Sequence, residues 1–335
     1  MHALVTGGGG FLGRYIVEQL VARGDTVRSF GRGAYPELEA IGVEVVRGDI
    51  TDRNAIVAAC EGIDCVFHTA ARAGIGGEYT DYSLPNISGT RMVLLGCRFN
   101  QVPRLVYTSS PSVVFAGLDQ NGIDESAEYA PLWQMVRNAW YSYTKGTAEL
   151  ATLQINLRGG PTRSCALRPH LIWGPRDTHL IPRLIQRART GKLRRVGNGT
   201  NLVDITYVEN AAAAHLQAAD ALADPASPVA GKAYFISQGE PVNCWQWIDQ
   251  ILALVDLPPV RKSISARTAY AIGAVLEGAY RVLGRTDEPR MTRFLARQLS
   301  TSHWFDISAA RRDFGYQPRV TTAEGMERLG AWLRA

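Results

Sequence analysis

A short apolar strand, His2–Thr6, runs directly into Gly7-Gly8-Gly9-Gly10-Phe11-Leu12-Gly13, and the stretch Phe11–Arg23 that follows keeps Phe11, Leu12, Tyr15, Ile16 and Leu20 on one helical side. Strand, glycine turn and helix in that order constrain the fold more than any other feature of the chain. Glycine permits a tight turn, so backbone N–H groups and the helix N-terminus converge on one point. The positive end of the helix dipole favours a pyrophosphate there. Gly7, Gly10, Phe11, Leu12 and Gly13 are the candidate phosphate contacts. Gly7-x-x-Gly10-x-x-Gly13 and Gly8-x-Gly10-x-x-Gly13 both fit, so the spacing alone does not choose a subclass.

The rest of the chain repeats the alternation. Strands are expected at Thr26–Phe30, Val43–Arg47, Cys65–Thr69, Arg104–Thr108 and Ser164–Leu167, with helices at Ile56–Glu61, Pro85–Gln101 and Ala139–Leu157. The strands are apolar nearly throughout, the pattern of a parallel sheet covered on both faces. The expected fold is α/β, a doubly wound parallel (Rossmann) sheet with a smaller, mainly helical substrate lobe. After Arg168-Pro169 the rhythm breaks at Gly174-Pro175 and at the Gly197–Gly199 turn, and Trp245–Val255 and the chain beyond Arg267 read as helical. We expect a dinucleotide-binding domain at 1–174, rejoined by about 207–237 through a strand at Lys232–Ser237, and a substrate lobe of 175–206 and 238–335. Ligands of open α/β sheets sit at the carboxyl ends of the strands, here between the lobes.

Composition narrows the partners. With 335 residues, 36 Lys+Arg and 31 Asp+Glu, the chain is mildly basic, with arginines clustered at Arg183–Arg195 and Arg290–Arg297. No array of base-stacking aromatics or recognition helix points to nucleic acid. Five cysteines at irregular spacing read as reduced core residues of a cytoplasmic protein, and the six histidines show no metal-ligand spacing. No secretory leader is expected, since the first strand begins at His2, and no run is long enough to span a membrane. Thr268–Leu283 comes nearest, but Glu277 and Arg281 interrupt it. It reads as a buried helix or as an amphipathic one that touches lipid, a peripheral membrane contact, or lines the path of a greasy substrate.

The second strand closes with Ser29-Phe30-Gly31-Arg32, where an acid would hold the 2′-hydroxyl of NAD. A guanidinium there suits a 2′-phosphate, so NADP(H) is the expected cofactor. Asp49, after the third strand, reads as an adenine contact or as a turn-capping residue.

Of the 13 tyrosines, only Tyr141 has a lysine, Lys145, four positions on. On a helix the two share a face. A free phenol has a pKa of about 10. A neighbouring ammonium and an oxidised nicotinamide would favour phenolate and lower that value. In the reductive direction Tyr141 would protonate a carbonyl oxygen as hydride reaches the carbon, and Lys145 would also bond the nicotinamide ribose. Ser110, at the end of Val106-Tyr107-Thr108-Ser109-Ser110, is the candidate hydrogen-bond donor to that oxygen.

These residues are similar to the extended short-chain dehydrogenases/reductases over nearly the whole chain. The likeness runs through Thr6–Gly13, Gly48-Asp49-Ile50, Phe67-His68-Thr69-Ala70-Ala71, Asn86–Thr90, Tyr107–Ser110, Tyr141–Lys145, Leu167-Arg168-Pro169 and Val203–Asn210. It implies further cofactor contacts at Ile50, Ala70 and Arg168. Thr69 stands where the family usually has Asn. Tyr107–Val114 resembles the 3β-hydroxysteroid dehydrogenase branch. Tyr35–Leu38, Leu171–Pro175, Tyr234–Ser237 and Arg311–Tyr316 resemble a bacterial group that reduces two-chain β-keto acids on the way to long-chain olefins. That likeness implies a long-chain acyl substrate, reduction of its ketone with NADPH, a homodimer and assembly with other enzymes of the olefin pathway. Two alkyl chains need a wide apolar pocket, for which Trp133, Met135, Trp140, Trp173 and Ala269–Leu276 are candidates. A carboxylate wants a cation, for which Arg72 and His170 are candidates. The rival readings are an NAD-dependent hydroxysteroid or related alcohol dehydrogenase, a nucleotide-sugar epimerase, and a non-catalytic dinucleotide-binding scaffold or sensor. The retained Tyr141 and Lys145 speak against the last.

Overall fold

The computed structural model describes every residue except Thr286, and of Arg158 only the backbone. Seven parallel strands form the central sheet. They are His2–Thr6, Thr26–Gly31, Glu44–Arg47, Cys65–His68, Arg104–Thr108, Arg163–Pro169 and Ala233–Ile236. Numbered along the chain, they lie in the order 3-2-1-4-5-6-7, so the connections reverse direction between His2–Thr6 and Cys65–His68. That reversal opens a crevice at the carboxyl ends of the strands, where the glycine turn, Thr69-Ala70 and Ser109-Ser110 all emerge. Helices Phe11–Ala22 and Val208–Ala221 pack on one face, and Arg53–Ala59 and Thr90–Phe99 on the other. Both faces are therefore covered, which is why Leu4, Val5, Val66, Phe67, Leu105 and Val106 are all buried.

The Pro85–Gln101 expectation resolves into two pieces, a π-helical turn at Leu84–Gly89 and an α-helix at Thr90–Phe99. Asn86 in the wide turn explains the departure. Its side chain accepts from the Arg72 backbone N–H at 2.8 Å and donates to the Thr144 hydroxyl at 3.0 Å, tying this segment to the helix Trp140–Gln154.

The smaller lobe has its own core, built around Trp173, Tyr207, Trp245, Trp247 and Ile251. Helices Leu180–Arg189, Cys244–Ala253, Ala266–Val282 and Arg293–Ser300 surround it, and it also carries a four-stranded sheet. One of those strands, Gln120–Ile123, comes from before residue 174 and pairs with His303–Phe305, so the chain crosses the boundary expected from the sequence. Its residues, Gln120-Asn121-Gly122-Ile123, hold no apolar alternation to announce a strand. Among the described residues no helix is long and apolar enough to cross a membrane. All five cysteines are free and buried.

Candidate active site

The glycine turn is built by exclusion of side chains. Gly7 sits at φ +76°, in the left-handed region, and its carbonyl accepts from Gly10 N–H at 2.9 Å. A Cβ on Gly13 would collide with that carbonyl, and one on Gly7 would meet the Ala70 backbone at 3.0 Å. The helix begins at Phe11, and Gly10 supplies no side chain to cap it. The first N–H groups therefore point into the crevice, as a pyrophosphate requires. This cradle fits a dinucleotide. Arg32 is exposed at the end of its strand and makes no side-chain hydrogen bond or ion pair among the described residues. Tyr35, at φ +49° ahead of Pro36, lays its ring where side chains on Gly9 and Gly33 would otherwise stand. Asp49 accepts from Thr51 N–H at 2.8 Å and Thr51 Oγ1 at 2.6 Å, so its carboxylate closes a turn. Those two bonds, with Arg32 adding to them, hold its pKa below the ordinary value. Ile50 packs against Gly89 and is half-buried.

Tyr141 and Lys145 lie one turn apart on the helix Trp140–Gln154. Lys145 is buried. Its Nζ donates to the Thr108 carbonyl at 2.5 Å and stands 4.1 Å above the centre of the Tyr107 ring. Burial pushes its ammonium down to about 7, with Glu149 acting the other way. The Tyr141 phenol is pushed upward by burial, and its hydrogen bond with Ser110 opposes that shift. The phenol therefore stays protonated at neutral pH. Ser110 caps the short helical turn Pro111–Val114, accepting from Ser112 N–H at 3.2 Å and donating to Ser112 Oγ at 3.0 Å.

The buried ammonium makes a demand on stability. Lys145 titrates near 7 in the folded protein and at 10.5 in a free chain. Between those values the unfolded state binds the extra proton, so stability rises as pH climbs from about 7 toward 10.5. The melting temperature of the protein minus that of Lys145→Met is expected to grow across this window. A difference that ignores pH would contradict it.

Tyr141, Trp140, Ser110 and His170 all line one cavity of about 820 Å³ between the sheet and the smaller lobe. Leu180, Leu184, Trp245, Ile248, Phe294 and Leu299 make much of its wall apolar.

Seven sequence expectations need correction. Arg168 is buried and bonds the Glu149 carboxylate through Nε at 3.1 Å and Nη2 at 2.5 Å, so its guanidinium is engaged inside the fold and is not offered to a nucleotide. His170 is no cation. Its Nδ1 meets the Asp204 carbonyl at 2.6 Å, and burial, with His303 beside it, pushes the imidazole down to about 3. Arg72 is exposed over the Tyr82 ring and lies outside the cavity lining. Trp133 stands behind the wall, packed against Phe115 and Phe294. Likewise Trp173 belongs to the core of the smaller lobe, Met135 is exposed, and it is Glu277, Tyr280 and Arg281, not Ala269–Leu276, that reach the cavity.

Two residues went unread. Glu149 follows Lys145 by four, so Tyr141, Lys145 and Glu149 form a legible i, i+4, i+8 stripe. Arg137 lines the cavity four residues before Tyr141, in a stretch whose turn the sequence does not announce.

Residues 4–263 match the model of the 3-beta hydroxysteroid dehydrogenase/isomerase family. The chain is 48% identical to a 2-alkyl-3-oxoalkanoate reductase of Shewanella oneidensis, over 99% of this chain and 86% of that one. It is also 48% identical to one of Stenotrophomonas maltophilia, over 99% of both. A mouse sterol-4-alpha-carboxylate 3-dehydrogenase, decarboxylating, is 35% identical over 97% of this chain and 88% of its own. Among solved structures, MoeE5 in complex with UDP-glucose and NAD superposes with a TM-score of 0.74 at 25% identity, covering 100% of this chain and 99% of that chain.

Proposed function

We propose that this chain, which belongs to the 3-beta hydroxysteroid dehydrogenase/isomerase family of extended short-chain dehydrogenases/reductases, reduces the ketone of a long-chain 2-alkyl-3-oxoalkanoate with NADPH. The family makes it an oxidoreductase that takes a nicotinamide dinucleotide. What carries the narrower reading is the near-full-length likeness to two 2-alkyl-3-oxoalkanoate reductases, and a large, partly apolar cavity beside Tyr141 agrees with it. The product, a 2-alkyl-3-hydroxyalkanoate, would pass to a β-lactone-forming step in olefin biosynthesis, within a homodimer or a larger assembly with the other pathway enzymes.

The residues divide the work. The turn Gly7–Gly13 and the first N–H groups of the helix it opens would hold the pyrophosphate, and Arg32 the 2′-phosphate. Bound NADPH supplies the hydride. Ser110 would turn its hydroxyl from Ser112 to donate to the ketone oxygen, Tyr141 would deliver the proton to it, and Lys145 fixes the helix face against Thr108 and, while protonated, places a positive charge beneath the site.

Purified protein should consume NADPH with a synthetic 2-alkyl-3-oxoalkanoate and yield the hydroxy acid by mass spectrometry. Inactivity on that acid, together with NAD-linked oxidation of a 3β-hydroxysteroid, would move the assignment to the sterol-type relatives, which are 35–37% identical. Arg32→Ala is expected to weaken NADP+ binding about 10- to 100-fold, as loss of charge-assisted hydrogen bonds does, with NAD+ scarcely affected. Fluorescence titration of both nucleotides reads this, and equal losses would remove Arg32 from the choice of cofactor.

A further inference from the structure

We infer that Arg137 is the carboxylate-binding residue of the cavity, so that the protein selects substrates bearing an acid group next to the reducible ketone; this rests on the 3-oxo-acid reading above.

Residues 137–142 form one continuous stretch of cavity wall. Asn138 turns the chain at φ +52° between the helices Pro131–Val136 and Trp140–Gln154, which brings Arg137 onto the same wall as Tyr141. The guanidinium lies 4.8 Å over the Trp133 ring, and its only hydrogen bond among the described residues is a long one, 3.5 Å from Nη1 to the Trp133 carbonyl. Its Nε is buried and has no partner among the described residues. A guanidinium seated over an indole, with no carboxylate of its own, keeps its terminal nitrogens for an anion.

The other cavity arginines are less suited. Arg183 is closed on Glu288 by both of its terminal nitrogens, and Arg285 is closed on Asp287 at 2.7 and 2.6 Å. Arg281 is exposed. Arg187 lacks a carboxylate, but it belongs to the wall built by Leu180–Arg189, where its terminal nitrogen turns to the Arg290 carbonyl at 3.4 Å. The chemistry favours proximity to Tyr141. In a 3-oxo acid a single carbon separates carboxylate from ketone, so the cation that binds one must neighbour the phenol that protonates the other. Of these arginines, Arg137 alone shares the Tyr141 wall. The relation also fits the family. The sterol relatives are named for substrates whose carboxylate, at position 4, neighbours the position 3 at which they act.

The test compares a 2-alkyl-3-oxo acid, its methyl ester and the ketone lacking the acid group, on wild type, Arg137→Ala and Arg137→Lys. The wild type should favour the acid. In Arg137→Ala the acid's KM should rise about 10- to 100-fold, the loss expected for hydrogen bonds to a charged group. Values of kcat, KM for ester and ketone, and NADPH affinity by fluorescence should hold. Arg137→Lys should recover part of the preference. Equal losses on acid and ester, or a wild type that reduces the acid no better than the ester, overturn the assignment while leaving the ketone reduction standing. A wild type inactive on all three overturns the parent reading and this one with it.

Discussion

Tyr141→Phe is expected to cut kcat for ketone reduction by about a hundred- to ten-thousand-fold, the usual worth of a positioned proton donor. The substitution removes one oxygen and keeps the ring. Ser110, whose bond opposes the upward shift of the phenol, keeps its own bonds to Ser112, so the substitution leaves no stranded group behind. Burial keeps the phenol protonated at neutral pH, the state a donor to a nascent alkoxide needs. The nucleotide cradle lies in another segment and depends on glycine backbone and helix N-terminus, so NADPH affinity should be unchanged. Steady-state rates, nucleotide titration and thermal melting on the same variant separate these effects. Wild-type turnover would remove Tyr141 from the chemistry. Lost turnover accompanied by lost nucleotide binding would point to a structural role.

Much of this arrangement was legible because it depends on local pattern. Gly7, Gly10 and Gly13 can be read because nothing larger fits, and Tyr141 and Lys145 because helical geometry puts i and i+4 on one side. The parallel sheet followed from strands apolar on both faces. What escaped depends on partners distant in sequence. Arg168 carries a family motif, but its role is decided by Glu149, 19 residues away in the chain. His170 reads as a cation in the sequence, but burial, with His303 brought beside it from the smaller lobe, keeps it neutral against the opposing bond to the Asp204 carbonyl. The strand Gln120–Ile123 exists because His303–Phe305 offers it an edge, not because of its own composition. Tertiary context overrides propensity in such short strands.

The pair Glu149 and Arg168 carries the largest stability effect we expect. The two side chains are 0% and 2% exposed, and Glu149 also accepts from the Tyr129 hydroxyl. Glu149→Ala leaves a guanidinium buried between the Tyr129 and Phe235 rings without its counter-charge, and one of its nitrogens, Nη1, already lacks a partner among the described residues. Breaking a buried pair from one side typically costs about 3–5 kcal/mol, because the uncompensated charge is the greater part of the loss. The urea midpoint should fall accordingly. The double variant Glu149→Leu/Arg168→Met should regain much of it, since no ion then remains to be desolvated. Catalysis should not follow stability. Glu149 supports the charge of Lys145 one turn away, so its removal drives the lysine further below about 7. The stabilised double variant should therefore still lose activity at lower pH than wild type as the ammonium deprotonates. A double variant as unstable as Glu149→Ala would show that the site needs the ion pair itself and not merely the absence of a lone charge.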